Sequence, residues 1–180
     1  MDRNTSERNK TQPAPDTTGQ EAASFWRFSL ALYARPGVSG ALIALQDRAG
    51  LDVNLILFGL WLGAQHGIGL DSDGFAAAAG AVAELNGVVR NIRALRRQLG
   101  GAADSDVRHL RRALLRLELT AERQVQRRLA FCFATGSLPH TPGDRRSAAH
   151  ANLARCLGDE SESLEAATLR RELAALTRRA

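Results

Sequence analysis

Apolar positions recur along this chain with helical spacing nearly throughout, and that period predicts most of its elements. Phe25, Phe28 and Leu32, with Ser29 and Tyr33 a turn away, give a first helix a wide buried face. Thr18 and Glu21 match a capping box, which places the start of that helix. Pro36 suits the first turn of a second helix, where its missing N–H would have no partner anyway. Val38, Leu42, Leu45 and Ala49 form the stripe of this second helix, and Gly50 ends it. Asp52 is placed to cap a third helix, from 53 to about 66, that is apolar on nearly every side. A helix of that kind belongs at the centre of a fold.

Asp71, Ser72 and Asp73 open a long fourth helix. In it Leu85, Val88, Ile92, Leu95 and Leu99 recur at spacings of three and four, which predicts a packing seam. Gly100 and Gly101 interrupt the pattern, and Asp104 opens a fifth helix. Its predicted inner face carries Leu110, Leu114, Leu117, Ala121, Val125, Leu129 and Cys132. So short a link implies a long antiparallel helical hairpin. Thr141, Pro142 and Asp144 predict a capped helix ending near Leu157, with Pro142 at its first position. Asp159 and Glu162 predict the start of a last helix bearing Leu164, Leu169, Leu173 and Leu176. No run alternates convincingly as a strand.

The expectation is an all-α fold: a single-domain bundle of about six helices over 18–180, behind a disordered N-terminal tail over 1–17. Phe28, Leu32, Leu42, Leu45, Leu57, Trp61, Ile92 and Leu117 are expected in its core. Residues 25–67 hold six of the nine aromatic residues, so the packed centre is expected there.

Composition narrows the class. At 180 residues and 44% hydrophobic, the chain can bury a sizeable core. The net charge is +5, but the basic residues are 23 arginines and a single lysine, Lys10. Such use of arginine, beside abundant Ala, Gly and Leu, fits a GC-rich coding bias and weakens the case for nucleic acid. Cys132 and Cys156 stand far apart and read as free thiols in a reducing compartment. The first 24 residues lack the pattern of a signal peptide, and the most apolar run, 53–64, is too short to span a bilayer. A cytoplasmic protein is expected.

Motifs for chemistry are sparse. Asp71-Ser72-Asp73-Gly74 reads as a helix cap, because its glycine falls too early for a calcium loop. No metal site and no cofactor are expected, since P-loop, G-x-G-x-x-G and G-x-S-x-G patterns are all missing. Asp47 and Asp52 bracket the turn before the central helix, and Asn54 lies just inside it. His66, at its other end, could pair with Asp71 or Asp73, or with the carbonyl end of its own helix. Asp47, Asp52, Asn54 and His66 are the ligand-binding candidates. Eight arginines crowd residues 90–116 against only Asp104 and Asp106. Of these, Arg93, Arg97, Arg108 and Arg112 flank the glycine link and are the polyanion-binding candidates. No aromatic side chain interleaves with them, which argues against single-strand stacking.

Residues 25–133 carry the pattern Phe25-Trp26-Arg27-Phe28-Ser29-Leu30 with Tyr33, then Leu45-Gln46-Asp47, Gly50-Leu51-Asp52-Val53-Asn54-Leu55 and Trp61-Leu62. Together with the basic segment 88–99, Glu118 and Glu122, this resembles a family of small proteobacterial proteins defined only as a domain of unknown function. The resemblance implies a bacterial, mostly helical protein and assigns no catalytic residue. Three readings follow for an activity that stays unknown at this level. The first is a non-enzymatic cytoplasmic interaction or regulatory protein with a protein partner. The alternative is a small enzyme or ligand binder using Asp47, Asp52, Asn54 and His66. The third is polyanion binding through residues 90–116.

Overall fold

A computed structural model describes residues 17–178, which form seven α-helices, a π-helical stretch, a 3-10 turn and one very small ribbon. The helices are α1 Thr17–Tyr33, α2 Val38–Ala49, α3 Val53–Trp61, α4 Ser72–Gln98, α5 Ser105–Ala134, α6 Arg145–Leu157 and α7 Leu164–Thr177. The tail expected over 1–17 lies outside the described residues except for Thr17, which opens α1. Thr18 is therefore inside the helix rather than at its cap.

The core is built around α3. All of its residues except the partly buried Leu55 are buried, as its all-round apolar character requires. The π-helical stretch Leu62–His66 continues it, and Gly67, at φ 67°, ends it. Phe25 of α1 stacks on Trp61 at 5.1 Å and meets Phe58 at 5.6 Å. Buried indole needs a partner for its N–H, and Trp61 Nε1 donates to Ser24 Oγ at 3.2 Å.

On another side α6 lies so close that a Cβ on Gly63 would overlap the backbone of Ala149. Asn152, fully buried on α6, holds the end of this rod. Its Nδ2 donates to the carbonyls of Gly59 (2.9 Å) and Ile68 (2.8 Å), and its Oδ1 accepts from the Leu70 N–H (2.8 Å). Beside it β1, Ile68–Gly69, pairs antiparallel with β2, Thr141–Pro142. Pro142 thus serves a strand rather than the first turn of α6, which Asp144 caps through the Ser147 N–H. Likewise Ser163 caps α7, because residues 158–162 wind into a 3-10 turn that takes up Asp159 and Glu162. Pro36 stands in the turn before α2, whose N-cap is Gly37.

Most of the expected core is buried: Phe28, Leu32, Leu42, Leu45, Leu57, Trp61 and Ile92. Leu117 is not. It is exposed with Leu110 on α5, and Val88 and Leu95 of the expected α4 seam are exposed too. The inward positions are instead Val82, Asn86 and Val89 on α4, and Glu118, Val125, Gln126 and Leu129 on α5. The reason is that paired polar side chains fill the contact between α4, α5 and the core, which turns the leucine stripe outward. Ala49 and Leu164, placed by periodicity on buried stripes, sit at helix ends and are exposed.

The close approach at Gly63 gives a controlled comparison. Gly63→Ala is expected to destabilise by about 1–3 kcal/mol, the range for overpacking. Gly40→Ala, in α2 with nothing near its added methyl, is expected to stabilise by about 0.5–1 kcal/mol through helix propensity. Urea unfolding of both variants checks the opposite signs.

Candidate functional site

The N-terminus of α3 leaves backbone N–H groups that its own turns cannot satisfy. Asp52, extended at φ −84° and ψ 110°, supplies the acceptor: Oδ1 takes the N–H groups of Asn54 (2.8 Å) and Leu55 (3.3 Å). Its second oxygen, Oδ2, accepts from Asn86 Nδ2 of α4 at 2.5 Å. Asn54 Oδ1 in turn accepts from Gln126 Nε2 of α5 at 3.1 Å, while Gln126 Oε1 is buried without a partner. One carboxylate and three amides therefore join α3 to both long helices. Asp52, Asn54 and Asn86 line a cavity of about 160 Å³ here together with Gln46, Arg90 and Arg93, among others.

Further along, Arg93 donates from Nε to Glu118 Oε1 at 2.8 Å and from Nη2 to Glu122 Oε1 at 2.6 Å. Arg96 also donates to Glu118, so one buried carboxylate sits between two guanidinium groups. Burial opposes ionisation of Glu118, but the hydrogen bonds from Arg96 and Arg93 override it and hold its carboxyl below the ordinary range. Burial wins at Asp52 and at Glu122, whose carboxyls are pushed up despite their donors. Burial, with the charge of Glu122, also raises the Tyr33 hydroxyl. The Cys156 thiol is pushed up to about 12 by burial and by the Asp52 charge, which makes it a poor nucleophile.

The four ligand-binding candidates do not converge. Asp52 and Asn54 share the cavity. Asp47 is exposed and pairs with Arg97 at 2.7 Å. His66 lies at the far end of the α3 rod, about 20 Å away at ~1.5 Å per residue. Its partner is neither Asp71, which caps α4 through the Gly74 N–H, nor Asp73. Glu21 Oε2 of α1 stands 3.3 Å from Nε2, and the ring packs against Trp61 (4.7 Å) and Phe133 (4.8 Å). Burial lowers the His66 pKa, with Glu21 opposing that shift.

Of the polyanion candidates, Arg93 and Arg97 are spent on Glu118, Glu122 and Asp47, and Arg108 donates to the Ala103 carbonyl. Arg112 is exposed and, like Arg111 and Arg116, makes no side-chain ion pair or hydrogen bond among the described residues. Periodicity reading missed Asn86, Arg96, Glu118, Glu122 and Gln126 as a network. Glu118 and Glu122, four apart, facing Arg93 and Arg96, three apart, were the available signal.

These groups join the helices through their mutual hydrogen bonds and ion pairs. The cavity is well below the roughly 300–1,000 Å³ of ordinary ligand pockets. Among the described residues no cluster of His, Cys, Asp or Glu could hold a metal ion. A second cleft of about 490 Å³, beside the start of α6 and the end of α7, is lined by Arg145, Arg146 and His150. Its one carboxylate, Asp144, is engaged as the α6 cap.

The family described as Protein of unknown function (DUF2390) matches residues 24–129, and the chain belongs to that family. The matched span runs from α1 through most of α5 and contains the whole Asp52–Glu118 network. No curated protein and no solved structure matches the chain. Among the described residues no single helix is long and apolar enough to cross a membrane; α1 and α2 pass that test only together, across a 99° bend.

Asp52→Asn should keep the Oδ1 cap but set an amide donor against Asn86 Nδ2 and lose about 1–3 kcal/mol, while Asp52→Ala, which removes the cap as well, should lose more. Thermal melts of the two variants check this. Glu118→Gln should cost about 3–5 kcal/mol at neutral pH, because it breaks a buried ion pair from one side. The Glu118 carboxyl is lowered from an ordinary 4.5, so its contribution is complete above about pH 4.5 and is lost as pH falls through its folded value. Stability curves between pH 3 and 7 should therefore show a shallower acid-side decline in Glu118→Gln than in the parent.

Proposed function

We propose that this member of the DUF2390 family is a non-enzymatic interaction protein of the cytoplasm, and that its working surface is the outer face of α4 and α5, paired as an antiparallel hairpin. One observation carries the reading. Val88 (47% exposed), Leu95 (51%), Leu110 (60%) and Leu117 (52%) keep a regular seven-residue spacing on each helix yet face solvent. Scattered surface leucines need no explanation, but an ordered apolar stripe on two adjacent helices marks a contact surface. The inward side of the same helices supports the reading, because Arg93, Arg96, Glu118 and Glu122 hold the pair there. The leucines are thus not needed to join α4 to α5.

The enzyme alternative has less support, since Asp47, Asp52–Asn54 and His66 occupy three separate places. A photo-cross-linking residue at Leu110 or Leu117 in the native cell tests the proposal, with Ile43, exposed on α2, as the control position. Discrete adducts from Leu110 and Leu117 but not from Ile43 are expected. No adducts from the hairpin positions, or the same adducts from all three, would remove the reading.

A further inference from the structure

The charge around the leucine stripe narrows what it contacts. On α5 the exposed residues Arg112, Arg116, Arg123 and Arg127 are spaced by four, seven and four, and so form one row along the helix. On the helical period that row lies about 120° around α5 from the line of Leu110 and Leu117, and its Arg123 and Arg127 half stands beside α1. Arg123 lies over the Trp26 ring at 5.3 Å, and the other three have no ion-pair partner among the described residues. The corresponding edge of α4 carries Glu84, Asn91 and Gln98, with a single acid. Two helices lying side by side leave a shallow groove between them, and Leu85 to Leu99 spans about 21 Å of it, the length of a four-turn helix.

We propose that this groove binds an amphipathic helix of a partner protein, with the partner's leucine face on Val88, Leu95, Leu110 and Leu117 and its acidic flank on Arg112, Arg116, Arg123 and Arg127. This rests on the reading of the hairpin's outer face as the working surface. Helix-in-groove recognition uses apolar anchors repeated at three, four and seven residues, and the stripe offers that spacing. An arginine row favours carboxylates on one side and fixes the orientation of the bound helix.

Other occupants fit less well. A second copy would bring Glu84 as the one acid on its α4 edge against four arginines. Residues 1–16 of this chain contain no Leu, Ile, Val, Phe, Trp or Tyr to fill the stripe, and their three acids balance three bases. A phosphate polyanion makes no use of four exposed aliphatic side chains. A bilayer surface is flat, and the stripe lacks the Trp and Tyr that anchor such contacts.

The test uses the full-length protein and a fluorescein-labelled synthetic peptide of about 18 residues, long enough to cover the groove. The peptide has leucines at helical spacing and Glu on its flanks, and a twin carries Lys in place of Glu. The Glu peptide is expected to bind at least about tenfold more tightly than the Lys twin, with affinity falling as salt rises. Arg112→Gln with Arg116→Gln, and separately Leu117→Asp, should each weaken it by about tenfold while circular dichroism is unchanged. Leu110→Asn serves in place of Leu117→Asp if that variant misfolds. Equal binding of the two peptides overturns the proposal. So does capture of phosphatidylglycerol vesicles or duplex RNA that displaces the Glu peptide, or a dimer in sedimentation that Leu117→Asp dissolves. Cross-linking adducts at Leu110 without any peptide preference would overturn the acidic helix and leave the working surface standing, whereas absent adducts would remove both.

Discussion

The fold depends on what a single buried carboxylate can do with two oxygens. Asp52 uses one to close the N-terminus of α3 and the other to hold Asn86 of α4. Because α3 is apolar on nearly every side, it offers few polar places by which other helices can be oriented. Asp52 occupies one end, and Asn152 of α6 takes the carbonyls and N–H near the other. Hydrophobic contact along the rod is strong but undirected. The hydrogen bonds at its two ends decide how α4, α5 and α6 are placed around it. Removing the Asp52 charge from water is unfavourable, as its raised carboxyl shows, and three hydrogen bonds offset part of that penalty.

The long pair extends the same device. Glu118, held by Arg93 and Arg96, with Glu122 also bound to Arg93, sets the register of α5 against α4 by charge. Ion pairs of this kind add less net stability than a well-packed apolar seam would, but they tolerate few alternative alignments. The consequence is a mixed inner face, where Asn86, Glu118 and Gln126 lie against the core among Val82, Val89, Val125 and Leu129, while Val88, Leu95, Leu110 and Leu117 face out. A protein that needs an apolar docking face, and must still hold its own helices in register, gains from that division.

The same geometry keeps the polar groups beside α3 apart from one another. Asp47 ends on Arg97, Asp52 and Asn54 on amides, and His66 on Glu21 within an aromatic cluster. Asp47, Asp52 and Asn54 are matched to structural partners, and a rod's length separates His66 from the carboxylate it would have to assist.

Local physics made much of the architecture legible in the sequence. The caps at Asp52, Asp71, Asp104 and Asp144, the stop at Gly50, the central α3 and the buried Phe28 and Trp61 all follow from short-range pattern. Within the candidate site, the capping role of Asp52 was readable, but its bond to Asn86, 34 residues away, was not. The pairing of His66 with Glu21 was equally hidden, because each had nearer plausible partners. The leucines of α4 and α5 mark the limit most clearly. Periodicity identifies a stripe on a helix, but it cannot say whether that stripe meets the chain's own core or the solvent. That choice turned on whether Arg93, Arg96, Glu118 and Glu122 could satisfy one another once buried, and only their juxtaposition in three dimensions decides it.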